Sequence, residues 1–76
     1  MYDFYFELVT DGALIRCNSS HIIVVVIYKT EDGYGYYDDL GFNDEGYHSR
    51  LECIRAVLEG LHNGIILPIE YQKQVT

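Results

Sequence analysis

Three carboxylates, Asp11, Glu52 and Glu70, stand where a chain could gather a divalent cation. Hard cations take carboxylate oxygens, and a metal held this way can activate water against a phosphodiester. Asp11 follows the first apolar stretch, Glu52 falls in the first turn of an expected helix, and Glu70 ends the last apolar stretch. If those elements are neighbours, the three acids form the metal site of a minimal nuclease. Each acid also has a plain structural role, as turn, cap and exposed residue. Other chemistries are incomplete. No two of His21, His48 and His62 are spaced i, i+4, and two cysteines do not complete a Cys–His zinc set. Ser19-Ser20-His21 has no acid partner for a triad. Gly33-Tyr34-Gly35 leads into no helix, and phosphate would meet acids there. Cys53 lies in an apolar helical stripe and reads as a buried, inert thiol. No cofactor is implied.

The second set of reactive groups is acidic and aromatic. Between Thr30 and Ser49 the chain has six acids, four tyrosines and no Lys or Arg. That is half of the 12 acidic residues in a chain whose net charge is −7. Nucleic-acid binding needs cations on the protein, so direct contact with DNA or RNA is not expected. Such a field draws in cationic surfaces and speeds their association; it also keeps a small protein soluble. Tyrosine gives large contact area at low entropy cost, which suits a protein interface better than base stacking beside acids. The expected partner-binding residues are Tyr37, Asp38, Asp39, Phe42, Asp44 and Glu45.

The elements must hold these groups. Tyr2 to Val9 alternates, with Tyr2, Phe4, Phe6 and Leu8 on one face, as in a half-buried strand. Thr10-Asp11-Gly12 signals a turn or bulge, and Ala13 to Cys17 is apolar enough for an extra short strand. Ile22 to Tyr28 is β-branched almost throughout and reads as a central strand. Thr30-Glu31-Asp32-Gly33 reads as a hairpin turn in which Asp-Gly supplies positive φ angles, followed by a return strand at 34–37. Gly35 marks a bend or a close backbone approach. Ser49-Arg50-Leu51-Glu52 fits a capping box, in which Ser49 accepts from the Glu52 amide and Glu52 from that of Ser49. Leu51, Ile54, Leu58 and Leu61 then recur at helical spacing, flanked by Cys53 and Val57, and Gly64 is placed to end the helix. A last strand is expected over 65–71, with Pro68 keeping it at an edge.

Two resemblances attach to particular residues. Thr10-Asp11-Gly12, Leu51-Glu52-Cys53 and Ile69-Glu70-Tyr71 follow an order that resembles the first half of the ribonuclease H-like fold. The later elements of that fold have no counterpart in the 76 residues. The run Val25-Val26-Ile27-Tyr28-Lys29-Thr30-Glu31-Asp32-Gly33-Tyr34-Gly35-Tyr36, then Asp39-Leu40-Gly41 and a capped helix, resembles the HicB-type antitoxin domain, which has a partial ribonuclease H-like fold. Asp38 stands where that motif has its first proline, and the second proline is also missing. The resemblance implies a non-catalytic domain that docks on a small basic RNA-binding toxin.

The sequence therefore predicts one domain over 1–76, of α+β class: a small antiparallel or mixed sheet, ordered β-β-β-α-β with a possible extra strand, and one helix on one face. One helix covers one face only, so parts of Tyr5, Val9 and the 22–28 run should stay exposed as a surface for a homodimer or stable partner. The expected function is a small acidic inhibitor that occupies the nucleic-acid-binding surface of a basic protein, as an antitoxin or a phage anti-defence protein would. Tyr2 to Val9 carries Asp3 and Glu7 without a basic start, so no secretory signal is expected. The longest apolar run is too short for a bilayer. Two free thiols fit a reducing cytoplasm.

Overall fold

The computed structural model describes residues 3–66. Among the described residues five strands precede a single helix: β1 (Phe4–Val9), β2 (Gly12–Cys17), β3 (Ile23–Lys29), β4 (Tyr34–Asp38), β5 (Asn43–Tyr47) and α1 (Arg50–His62). The strands form one antiparallel sheet in the order β1-β2-β3-β4-β5. The α+β class is as expected, but the element order is not. The extra strand is a full partner that pairs with β1 from Gly12 to Cys17. A fifth strand occupies 43–47, where the sequence reads as the approach to a helix. Asn, Asp, Glu and Gly have poor strand propensity, yet pairing with β4 overrides it at this edge. Of the strand expected over 65–71, Ile65 and Ile66 form no strand; Pro68 and Glu70, like Tyr2, lie outside the described residues.

Register sorts the side chains onto two faces. Phe6, Ile15, Val25 and Asp38 lie in one row across the sheet, and Leu8, Ala13, Ile27 and Tyr36 in the next. This face meets α1. The core joins Ala13, Ile15, Cys17, Val24, Val25 and Ile27 to Cys53, Ile54, Val57 and Leu61. A register shift between Ile15 and Arg16 leaves Val24 without a direct partner, so Val24 and Val25 are both buried despite being consecutive. The opposite face carries Tyr5, Glu7 and Val9 of β1, Leu14 and Arg16 of β2, Val26 and Tyr28 of β3, and Tyr37 of β4.

The helix is fixed at both ends. Ser49 Oγ accepts from the Glu52 amide at 3.1 Å. The Glu52 carboxylate reaches past Ser49 and accepts from the His48 amide at 3.3 Å. Gly64, at φ +76, closes the other end: the Ile65 amide donates to Gly60 O at 2.8 Å and the Gly64 amide to Leu61 O at 3.4 Å. The buried stripe runs through Cys53, Ile54, Val57, Gly60 and Leu61, whereas Leu51 is 61% exposed. Arg50 ties the helix start to the first hairpin by donating to Val9 O at 3.1 Å and Gly12 O at 3.4 Å.

The turns use their residues differently from the sequence expectation. Neither Asp32 nor Gly33 has a positive φ; Asp11 and His21 do, with Gly41, Gly46 and Gly64. Gly33 is required by proximity instead, because a Cβ there would lie 2.1 Å from Tyr47 O. The loop closes with the Thr30 amide donating to Gly33 O at 2.8 Å. Gly35 is the expected close approach: a Cβ would lie 2.8 Å from Asp44 O, where the β4–β5 register shifts.

Candidate functional site

The acidic, aromatic segment folds into the β4–β5 hairpin and its turn. Asp38 is the hinge of that turn. Its Oδ1 accepts from the amides of Leu40 and Phe42, both at 3.0 Å. Its own amide donates to Phe42 O at 2.9 Å, and the Gly41 amide donates back to Asp38 O at 3.1 Å. A short carboxylate bonding forward to its own backbone is a local way to lock a turn. Asp38 is only 9% exposed, so the structure places it inside the turn and not on the contact surface assigned to it from the sequence.

With the turn locked, its apolar side chains stand outward. Phe42 is 69% exposed and Leu40 45%, with exposed Asp39 between Asp38 and Leu40. Gly41, at φ +89, lets the chain reverse between the two apolar side chains. Leu40 is an exposed apolar residue of the turn that sequence reasoning does not select; the signal for it is Asp-Asp-Leu-Gly-Phe, an aspartate turn with apolar residues in the turn itself.

The remaining acids are held by phenols. Tyr28 donates to Glu45 Oε2 at 2.7 Å, and Tyr47 donates to Asp44 Oδ2 at 3.0 Å. The Glu45 amide also donates to Asp44 Oδ1. The Glu45 carboxylate holds the Tyr28 hydroxyl above its usual range, with burial adding to it. Burial, then the bond to Asp44, pushes Tyr47 up to about 12. Tyr36 is raised chiefly by burial, then by Asp44 and Asp38. The phenols therefore remain donors, and the two acids keep fixed directions.

Register divides the site between the faces. Glu45 stands opposite Gly35 on the face turned away from α1, beside Tyr28 and the 46% exposed Tyr37, whose rings lie 5.8 Å apart. Asp44 stands opposite Tyr36 on the helix face. The hairpin thus brings Tyr37 and Glu45 together on one side, Asp44 on the other, and Asp39, Leu40 and Phe42 at the tip. Tyr28 joins the site from β3, which only the pairing of β3 with β4 could reveal.

The alternative metal set is not assembled among the described residues, where no group of three His, Cys, Asp or Glu is placed to hold an ion. Asp11 is exposed at the tip of the first hairpin at φ +58. Glu52 caps the helix, and Glu70 lies outside the described residues. Cys17 and Cys53 are free and buried; burial pushes the Cys53 thiol up to about 11, which suits an inert group. A groove of about 690 Å³ runs between β1 and α1, lined by Phe4, Phe6, Arg55, Leu58, Glu59 and His62 among others. No described helix is long and apolar enough to cross a membrane.

Comparison with protein-family models, with curated proteins and with solved structures finds no match to this chain.

Proposed function

We propose that the chain is a protein-binding module whose β4–β5 hairpin inserts Leu40 and Phe42 into a basic, nucleic-acid-binding partner. The observation that carries this reading is the turn itself: two large apolar side chains are held outward by a buried aspartate, between acids. Exposed aromatics on a rigid support act as binding anchors, because little entropy is lost when they dock. Asp39, Asp44 and Glu45 complement Lys and Arg that would otherwise hold phosphate. Tyr37 and Tyr28 widen the contact on the open face. Bound there, the module excludes nucleic acid, which is how an antitoxin or an anti-defence inhibitor works; the resemblance to the HicB-type domain points the same way. Two free thiols suit a reducing cytoplasm.

The test has two steps. The partner captured by the wild-type chain is identified by mass spectrometry, and its nucleic-acid binding is then titrated with the chain. Stoichiometric loss of nucleic-acid binding is expected. Phe42→Ala should weaken the complex by about 1.5–3 kcal/mol, the contribution of burying such a side chain. Capture that survives both Phe42→Ala and neutralisation of Asp39, Asp44 and Glu45 would reject the reading.

A further inference from the structure

Gly35 opens a lane across the sheet on the face turned away from α1. Tyr28, Gly35 and Glu45 stand in one row over β3, β4 and β5. A Cβ at Gly35 would lie 2.7 Å from Glu45 Cγ and 3.2 Å from Tyr28 Cζ, so both side chains close over the glycine. The Tyr28 hydroxyl thereby reaches Glu45 Oε2 at 2.7 Å, across the strand between them. Tyr37, in the next row, flanks the same spot. Its ring centroid lies 5.8 Å from that of Tyr28, with the ring planes 40° apart. Tyr37 is 46% exposed, and Glu45 is exposed too.

The chemistry of these groups suits a cation. An aromatic ring presents a negative face, and two tilted rings present it from two directions. A carboxylate has about four acceptor positions, of which the Tyr28 hydroxyl takes one. That bond fixes the direction of the carboxylate and leaves its charge in place. The surroundings have the same sign. Glu45 also lines a cleft of about 630 Å³ together with Glu31, Asp32 and His48. Segment 30–49 contributes no Lys or Arg to oppose a positive ligand.

Among cations, a guanidinium fits better than an ammonium. It is planar and weakly hydrated, and it stacks on an aromatic face while its edge donates to a carboxylate. An ammonium is a compact point charge that holds its water more strongly.

We propose that Tyr28, Tyr37 and Glu45 form the site for one arginine side chain of the partner, its guanidinium lying against the tyrosine rings and donating to Glu45. The site belongs to the same hairpin and rests on the proposed function for its partner. Leu40 and Phe42 supply the apolar anchors at the tip, and the row beside them takes the charged one. Arginine is the side chain that phosphate recognition commonly uses. Its capture here withdraws from the partner a group that nucleic acid would need.

The site is open to a probe without the partner. The isotope-labelled full chain is titrated at low salt with acetyl-Gly-Arg-Gly-amide and followed by NMR. Saturable shifts are expected at Tyr28, Gly35, Tyr37 and Glu45, with a Kd of about 1–10 mM. The lysine peptide should bind at least about threefold more weakly, and the citrulline peptide, which keeps the shape without the charge, should not bind. Tyr37→Ala and Glu45→Gln should each weaken arginine binding about two- to fivefold. Gln keeps an acceptor for Tyr28, so the row itself survives. Glu59→Gln removes the same charge from α1, on the other side of the sheet, and should have no such effect. Three results overturn the proposal: no saturable shift up to about 20 mM arginine peptide, equal binding of the lysine or citrulline peptide, or an equal loss with Glu59→Gln. The hairpin reading is judged separately, by partner capture through Phe42. Capture of a partner with no peptide binding at this site rejects the arginine site alone.

Discussion

Asp38 shows how much one residue can be asked to do in a small protein. With Oδ1 shared by two amides, its removal takes the acceptor from two part-buried hydrogen bonds at once. Asp38→Ala should lower stability by about 1–3 kcal/mol, read from the midpoint of urea unfolding. The tyrosines give a pH signature. The Tyr47 hydroxyl is raised by burial and by Asp44 to about 12, against an ordinary value of 10. With the folded value raised, the unfolded chain loses its proton first. Stability is therefore whole below about pH 10 and declines as pH climbs toward 12. Tyr28, raised first by its bond to Glu45, and Tyr36, raised first by burial, act in the same direction. Circular dichroism against pH should show an alkaline transition starting near 10, and Tyr47→Phe should make it shallower.

Among the elements, the hairpins are set by contact as much as by turn chemistry. Gly33 and Gly12 have ordinary φ angles, but each lies under a carbonyl oxygen, where a Cβ would sit 2.1 Å from Tyr47 O or Ile27 O. The backbone must shift to accept any side chain there. Gly33→Ala should lower stability by about 1–3 kcal/mol, as overpacking does, and a thermal melt measures it. The capping box and the closing glycine of α1 are legible from the sequence, because both act within a few residues. The acceptor's choice of His48 over Ser49 is not, nor is the rotation of the buried stripe away from Leu51 toward Cys53, Val57 and Gly60. Those depend on where the sheet lies beneath the helix.

At the scale of the whole molecule, the charge is segregated. Segment 30–49, which forms β4, β5 and their turns, carries six acids and no Lys or Arg, against six acids and five Lys or Arg in the rest of the chain. Association with a basic partner should accordingly be steered. Its on-rate is expected to fall at least about tenfold from low to physiological salt, as measured by stopped-flow, while the off-rate depends on Phe42.

The residues themselves determined the α+β class, the β-branched central strand, the helix with its two ends, and the concentration of acids between Thr30 and Ser49. Each of these arises from interactions within a few residues, or from charge alone. Tertiary structure decided the rest. Alternation in β1 showed which side chains share a face, but only the strand order put β1 at one end of the sheet among the described residues, with Phe6 and Leu8 exposed. The acids were visible in the sequence, but only the turn drew Asp38 inward and pushed Leu40 and Phe42 out. Asn43–Tyr47 has little strand propensity of its own and becomes a strand because β4 supplies its hydrogen-bonding partners. Exposure and pairing are relations between distant segments, and a local pattern cannot fix them.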